Sequence, residues 1–200
     1  NILPQMVKTN RKIYAYPYDG YWMDVGTIQS YWNAHMDLLC TPPAFDLFRP
    51  SWIIHTRTEE RPPAKIAKGA VIEDSLISHG CTIHPGARIT RSVLSPGVTV
   101  GPGTIIDESI ILTDTSLGEN DQVIRSVLDK RIKIGSGVII GGIVENELPI
   151  AMVGRNAEVP AGIHIMPGGT IGTDVVMSDY SSQVIKPGEY IQTRRLPNEI

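Results

Sequence analysis

Two hundred residues, 42% hydrophobic and 20% charged, suit one soluble globular domain or two small ones. Eighteen basic against 21 acidic residues leave a net charge of −3 with no basic run, which argues against nucleic acid as a partner. No stretch reaches the ~18 consecutive apolar residues of a membrane span and the N-terminus lacks a signal-like apolar segment. The cysteines, Cys40 and Cys81, stand far apart, as suits a reducing compartment, so a soluble, cytoplasmic chain is expected, without membrane contact.

Residues 12–25 predict a hairpin, "KIYAYP" and "YWMDV" joined across "YDG", because Asp-Gly readily takes the positive φ angles of a tight turn. Thr27 then predicts the N-cap of a helix whose apolar stripe is Ile28, Tyr31, Trp32, Leu38 and Leu39. Asp24 is thereby placed at a strand end just before a helix, with Tyr21 and Trp22 read as packing residues. Residues 41–65 hold five prolines and read as a linker wrapped against its neighbours.

From Ile66 the pattern changes. Steps of six, five and six residues meet an aliphatic side chain at every stop as far as Ile140, a period of 17. Ile66, Ile83, Val100, Leu117 and Ile134 form one column, and Ile72, Ile89, Ile106, Val123 and Ile140 a second. Three short apolar steps per turn predict a mainly β chain built as a parallel solenoid of triangular section. Glycines in "SHGCT", "HPGAR", "SPGVT", "GPGTI" and "GSGVI" fall three positions after an apolar stop, where a corner would use positive φ. The count breaks at Glu145 and resumes at Val153, Val159, Ile165, Ile171 and Met177, so a loop is expected at the break. The resulting division is 1–40, linker 41–65, solenoid 66–180 and tail 181–200.

The segments "YAYPYDGYWMDVGTIQSYWNAHMDLL", "SLISHGCTI", "RSVLSPGVTVG" and "SVLDKRIKIGSG", in this order, closely resemble the C-terminal part of the glucose-1-phosphate adenylyltransferase family. The resemblance implies that residues 1–40 are the end of an α/β nucleotidyltransferase domain and that the solenoid is a left-handed β-helix of hexapeptide repeats. It also implies a homotetramer that makes ADP-glucose from ATP and glucose 1-phosphate for glycogen. The family's "G-x-G-x-R-L" nucleotide loop is not in these 200 residues, so the chain is expected to be a piece of a longer enzyme, holding no catalytic residue of its own.

Within the resemblance, Asp24 matches the aspartate of a "W-x-D-x-G-T" motif that holds Mg²⁺ against nucleotide phosphates. That suits an ion which takes one or two carboxylates plus phosphate and water oxygens. A strand-end aspartate that only caps or pairs is the alternative. Lys130 matches a basic position that binds a phosphorylated allosteric effector, a patch to which Arg194 and Arg195 would add; a solvated charged face is the alternative. His79 and His84, at coil corners, carry the runner-up reading, a hexapeptide-repeat acyltransferase with a histidine base. His164 lies about five coils away, too far to complete a three-histidine metal site with them. Another sugar-1-phosphate nucleotidyltransferase also stays open.

Overall fold

The aliphatic columns form the inside of a parallel β-solenoid. The computed structural model describes residues 1–55, 59–143 and 149–195 and winds three faces into seven coils. The first face starts with Lys65–Ile66, Thr82–Ile83 and Thr99–Val100, passes through single bridges at Ser116, and continues as Lys133–Ile134 paired with Glu158–Val159. The second stacks seven strands from Val71–Glu73 to Val184–Ile185, and the third seven from Leu76–Ile77 to Tyr190–Ile191. The pairing is parallel and follows the expected period, Ile72 beside Ile89 and Ile89 beside Ile106.

Burial follows the register. Ile83, Ile89, Leu94, Val100, Ile106 and Ile111 are at most 1% exposed, and each such side chain contributes about 1.5–3 kcal/mol on leaving water. Ile66 is 54% exposed and Ile72 and Ile77 half-buried, because the first coil has no earlier coil against it. The five corner glycines, Gly80, Gly86, Gly97, Gly103 and Gly137, all take φ between +68° and +77°. Asp114, Asn120, Arg131, Asn156 and Asp174 hold equivalent corners at φ of +56° to +60°; Asp and Asn tolerate this conformation better than most side chains, whereas Arg131 must be held there by its surroundings.

Polar groups inside the coils are paired. Buried Ser92 and Ser109 donate to the carbonyls of Thr90 and Asp107 at 2.7 and 2.8 Å, and each hydroxyl accepts the N–H of the serine one coil later. Buried Asp121 accepts from Val138 N at 2.8 Å and Gly118 N at 2.7 Å.

Three expectations change. No strand forms over residues 12–25; Tyr14, Tyr16 and Trp22 stand exposed, and a lone hairpin with no apolar face to cover is at best marginal. Met177 is 62% exposed in a 3₁₀ turn, Met177–Asp179, in place of the next inward stop. The turn is held by the Asp179 carboxylate, which accepts from Val176 N at 2.9 Å and Arg194 N at 3.1 Å. The solenoid also runs into the expected tail, since Val184–Ile185 and Tyr190–Ile191 add a seventh strand to both long faces; residues 196–200 of that tail lie outside the described residues. As expected, the count broken at Glu145 resumes at Val153, Ser126 facing Ala151 and Leu128 facing Val153, while residues 144–148 at the break lie outside the described residues.

Candidate functional site

The predicted helix forms as Ile28–Asp37 (here α1), capped as expected. Thr27 Oγ1 accepts from Ser30 N and Ser30 Oγ accepts from Thr27 N, both at 3.1 Å. Its anchor is Met36, buried against Ile110, Val127 and Ile150 on the outside of the third solenoid face, with Tyr31, Trp32, Leu39 and Leu112 around it. Trp32 Nε1 donates to the Glu108 carbonyl at 2.6 Å, and the Arg125 guanidinium lies 5.5 Å from the centre of the indole. Met36 was not in the expected stripe, although it stands four residues after Trp32, on the same side of a helix.

Asp24 lies on the extended approach to this helix, exposed, its carboxylate oxygens 3.5 Å from where a side chain on Gly26 would begin. Tyr21 is partly covered: its hydroxyl donates to Asp37 Oδ2 at 2.9 Å and its ring sits 6.2 Å from Phe45, while Trp22 is exposed rather than packed. Among the described residues no three His, Cys, Asp or Glu side chains gather as a metal site. Asp24 therefore offers one carboxylate, which matches one protein ligand of a magnesium ion and does not by itself make a site.

The proline-rich linker reaches the solenoid through Arg61, which the sequence reading did not single out. Its guanidinium meets both carboxylate oxygens of Asp114, at 2.6 and 3.0 Å, and Glu59 at 2.7 Å. Side chains on Gly80 or Gly97 would collide with Arg61, so two consecutive glycine corners open its path to the third, Asp114. Hydrogen bonding to Asp114 and Glu59 holds the guanidinium proton more tightly than usual, and the same bond holds the Asp114 carboxyl below its ordinary range.

The same corner continues as a polar ladder. Arg131 Nε donates to Asn156 Oδ1 at 2.8 Å, Asn156 Nδ2 donates to Asp174 Oδ1 at 2.7 Å, and Arg195 Nη2 donates to the Asp174 carbonyl. Lys130 is exposed next to Arg131, its carbonyl accepting from Asn156 N at 3.0 Å, and Arg155 occupies the neighbouring coil. The structure thus brings Lys130 and Arg195 to one edge of the solenoid, linked through Arg131, Asn156 and Asp174. Arg194 is exposed beside them, its backbone tied to Asp179. The signal for the ladder lies in the sequence: Asp114, Arg131, Asn156 and Asp174 each stand three residues after an apolar stop, where other coils carry glycine.

The histidines stay apart. His79 precedes Gly80 at the corner between the third and first faces, His84 opens the corner between the first and second, and His164 lies in a second-face strand. His79 and His84 are half-buried rather than fully solvated, and the His79 Nε2 atom is enclosed without a hydrogen-bond partner.

The structure is thus a seven-coil solenoid of hexapeptide steps, preceded by a capped helix and a "W-M-D-V-G-T" approach. Residues 62–150 match the family described as GlmU-like, C-terminal hexapeptide, and residues 1–40 match nucleotidyl transferase. The chain is similar over nearly its whole length to glucose-1-phosphate adenylyltransferases. It is 42% identical to that of Thermomicrobium roseum over 201 residues, 96% of this chain and 46% of the relative. The Acetivibrio thermocellus protein is 39% identical over 189 residues, 90% of this chain and 42% of the relative, and the Pseudothermotoga lettingae protein 35% identical over 96% of this chain. The chain spans under half the length of the curated relatives it matches.

Proposed function

We propose that these residues serve as the C-terminal part of a glucose-1-phosphate adenylyltransferase, which joins ATP and glucose 1-phosphate to give ADP-glucose and pyrophosphate for glycogen synthesis. The observation that carries the reading is that the helix approach and the solenoid occur together, in the order of the relatives, across 96% of the chain. The solenoid is the assembly and regulatory part, in a cytoplasmic homo-oligomer. Asp24 supplies one magnesium carboxylate to a site that needs further ligands, and magnesium neutralises phosphate charge when bound there. Lys130, Arg194 and Arg195 receive a phosphorylated metabolite that adjusts activity; their common solenoid edge supports this, since clustered cations suit a phosphate.

The test is a coupled pyrophosphate-release assay with ATP and glucose 1-phosphate, run on a longer protein carrying these residues as its C-terminal part and on the 200 residues alone. Turnover to ADP-glucose is expected from the former and none from the latter. Turnover by the shorter chain would overturn the placement, and preference for UTP or GTP would move the assignment to a sibling nucleotidyltransferase. Acyl transfer from acyl-CoA that is lost in His79→Ala or His84→Ala would favour the acyltransferase reading, which needs only one histidine base.

A further inference from the structure

The outward side chains of the second face alternate along the solenoid. The first residue of each strand is aliphatic on the first, third, fifth and seventh coils (Val71, Ile105, Ile139 and Val184) and polar on the coils between (Arg88, Gln122 and His164). The four aliphatic side chains are 37–39% exposed, although Ile106, Ile140 and Ile185, inside three of the same strands, are sealed. The order reads the same from either end. A two-fold axis along the middle strand, Gln122–Ile124, would lay Val71 on Val184, Arg88 on His164 and Ile105 on Ile139, with Gln122 and Ile124 each meeting its own copy.

The neighbouring outward column obeys the same symmetry. Glu73 on the first coil would face Lys186, which follows the seventh-coil strand, and both are exposed. Thr90 would face Met166, and Asp107 would face Gly141, so no like charges meet in that column. Arg88 opposite His164 pairs a donor with a ring nitrogen able to accept. A closed two-fold contact requires a surface complementary to its own inverted copy, and side chains spaced at about 4.8 Å per coil are matched in register by another solenoid of the same repeat.

We propose that the second solenoid face is a homodimer interface, two copies packing face to face with antiparallel solenoid axes about the Gln122–Ile124 strand. This rests on the reading that the chain assembles with itself, and names the surface. Seven coils give a face roughly 29 Å long, and two such faces bury on the order of 1,000 Å², the low end for a specific contact. The dimer is accordingly weak and concentration-dependent, and suits one of the two kinds of contact that a tetramer of two-fold symmetries needs.

Sedimentation velocity on the 200-residue chain over a range of concentrations tests this. The wild type is expected to dimerise, and Ile105→Asp, outside the interior column, to weaken dimerisation at least ~10-fold with an unchanged monomer melting temperature. Glu73→Lys and Lys186→Glu should each weaken it, and the two together should restore it. A wild type that self-associates while Ile105→Asp and both charge reversals leave the association constant unmoved would overturn this face and keep the self-assembly reading. A chain that stays monomeric at every concentration would overturn both.

Discussion

The solenoid and the segment before it solve the burial problem in opposite ways. Each coil from Thr82 onward covers the one before it, so Ile89, Ile106 and Val123 are sealed by repetition alone. Residues 10–26 have no repeating neighbour; Tyr14, Tyr16, Tyr18 and Trp22 stand in solvent, and their firm anchor follows them, where α1 sets Met36 and Trp32 against the third face. The contrast separates stability from the proposed magnesium chemistry. Strength lies in residues with no reactive group, while Asp24 lies in a stretch that adds little to the core.

The largest break in this contrast comes from the interior. Ile106→Asp places an unpaired charge among sealed aliphatics and should cost about 4 kcal/mol or more. Glu108→Ala, two residues on, removes only a partly exposed ion pair with Arg91 at 3.1 Å and should cost no more than about 0.5 kcal/mol. Its carbonyl keeps the bond from Trp32, since that group is backbone. Urea denaturation of both variants checks the register; equal losses would mean the inward phase is wrong.

Next comes the buried carboxylate. Asp121→Asn must turn an amide N–H₂ toward the N–H of either Gly118 or Val138 and should cost about 1–3 kcal/mol. Burial pushes the Asp121 carboxyl up to about 6, against the pull of the N–H groups of Val138, Gly118 and Gly137. Its folded value thus exceeds its unfolded one, so the folded form holds its proton at higher pH. The stability contributed by protonation is complete below about 3.8 and is lost as pH rises through about 6. The gap in melting temperature between wild type and Asp121→Asn should therefore widen from pH 7 to pH 4; a gap constant with pH would contradict it.

A smaller effect belongs to the docked helix. Met36→Ala removes one side chain from an edge cluster and should cost about 1–2 kcal/mol locally, below the 2–5 of a central core site because α1 can settle against Leu39 and Leu112. Hydrogen exchange should speed up in residues 28–37 while Ile89 and Val123 keep their protection. Loss of protection in both would show that helix and solenoid unfold as one unit.

Much of the fold was legible because the interior accepts only aliphatics at fixed spacing, and because Gly80, Gly86, Gly97, Gly103 and Gly137 mark corners by the φ they must take. The hairpin misread had a sound local signal, Asp19-Gly20, with no surface on which to bury its strands. Met177 fell outside the count because Asp179 captures two backbone N–H groups and closes a turn, a contact spanning fifteen residues to Arg194 that periodicity does not encode. The corner ladder was hidden for a related reason: Asp114, Arg131, Asn156 and Asp174 look like ordinary surface residues until their shared corner is seen. Asp24 was legible only through its motif, as no three potential metal ligands gather among the described residues.

Asp24→Asn, made in a longer protein carrying these residues, tests most directly the claim that the helix approach holds the chemistry and the solenoid the stability. The amide is nearly isosteric and Asp24 is exposed, so the melting temperature should stay within about 1 °C of wild type. Turnover should fall at least ~100-fold, and half-maximal activity should need more magnesium. Near-normal turnover with unchanged magnesium demand, or an activity loss that merely follows a lowered melting temperature, would contradict the account.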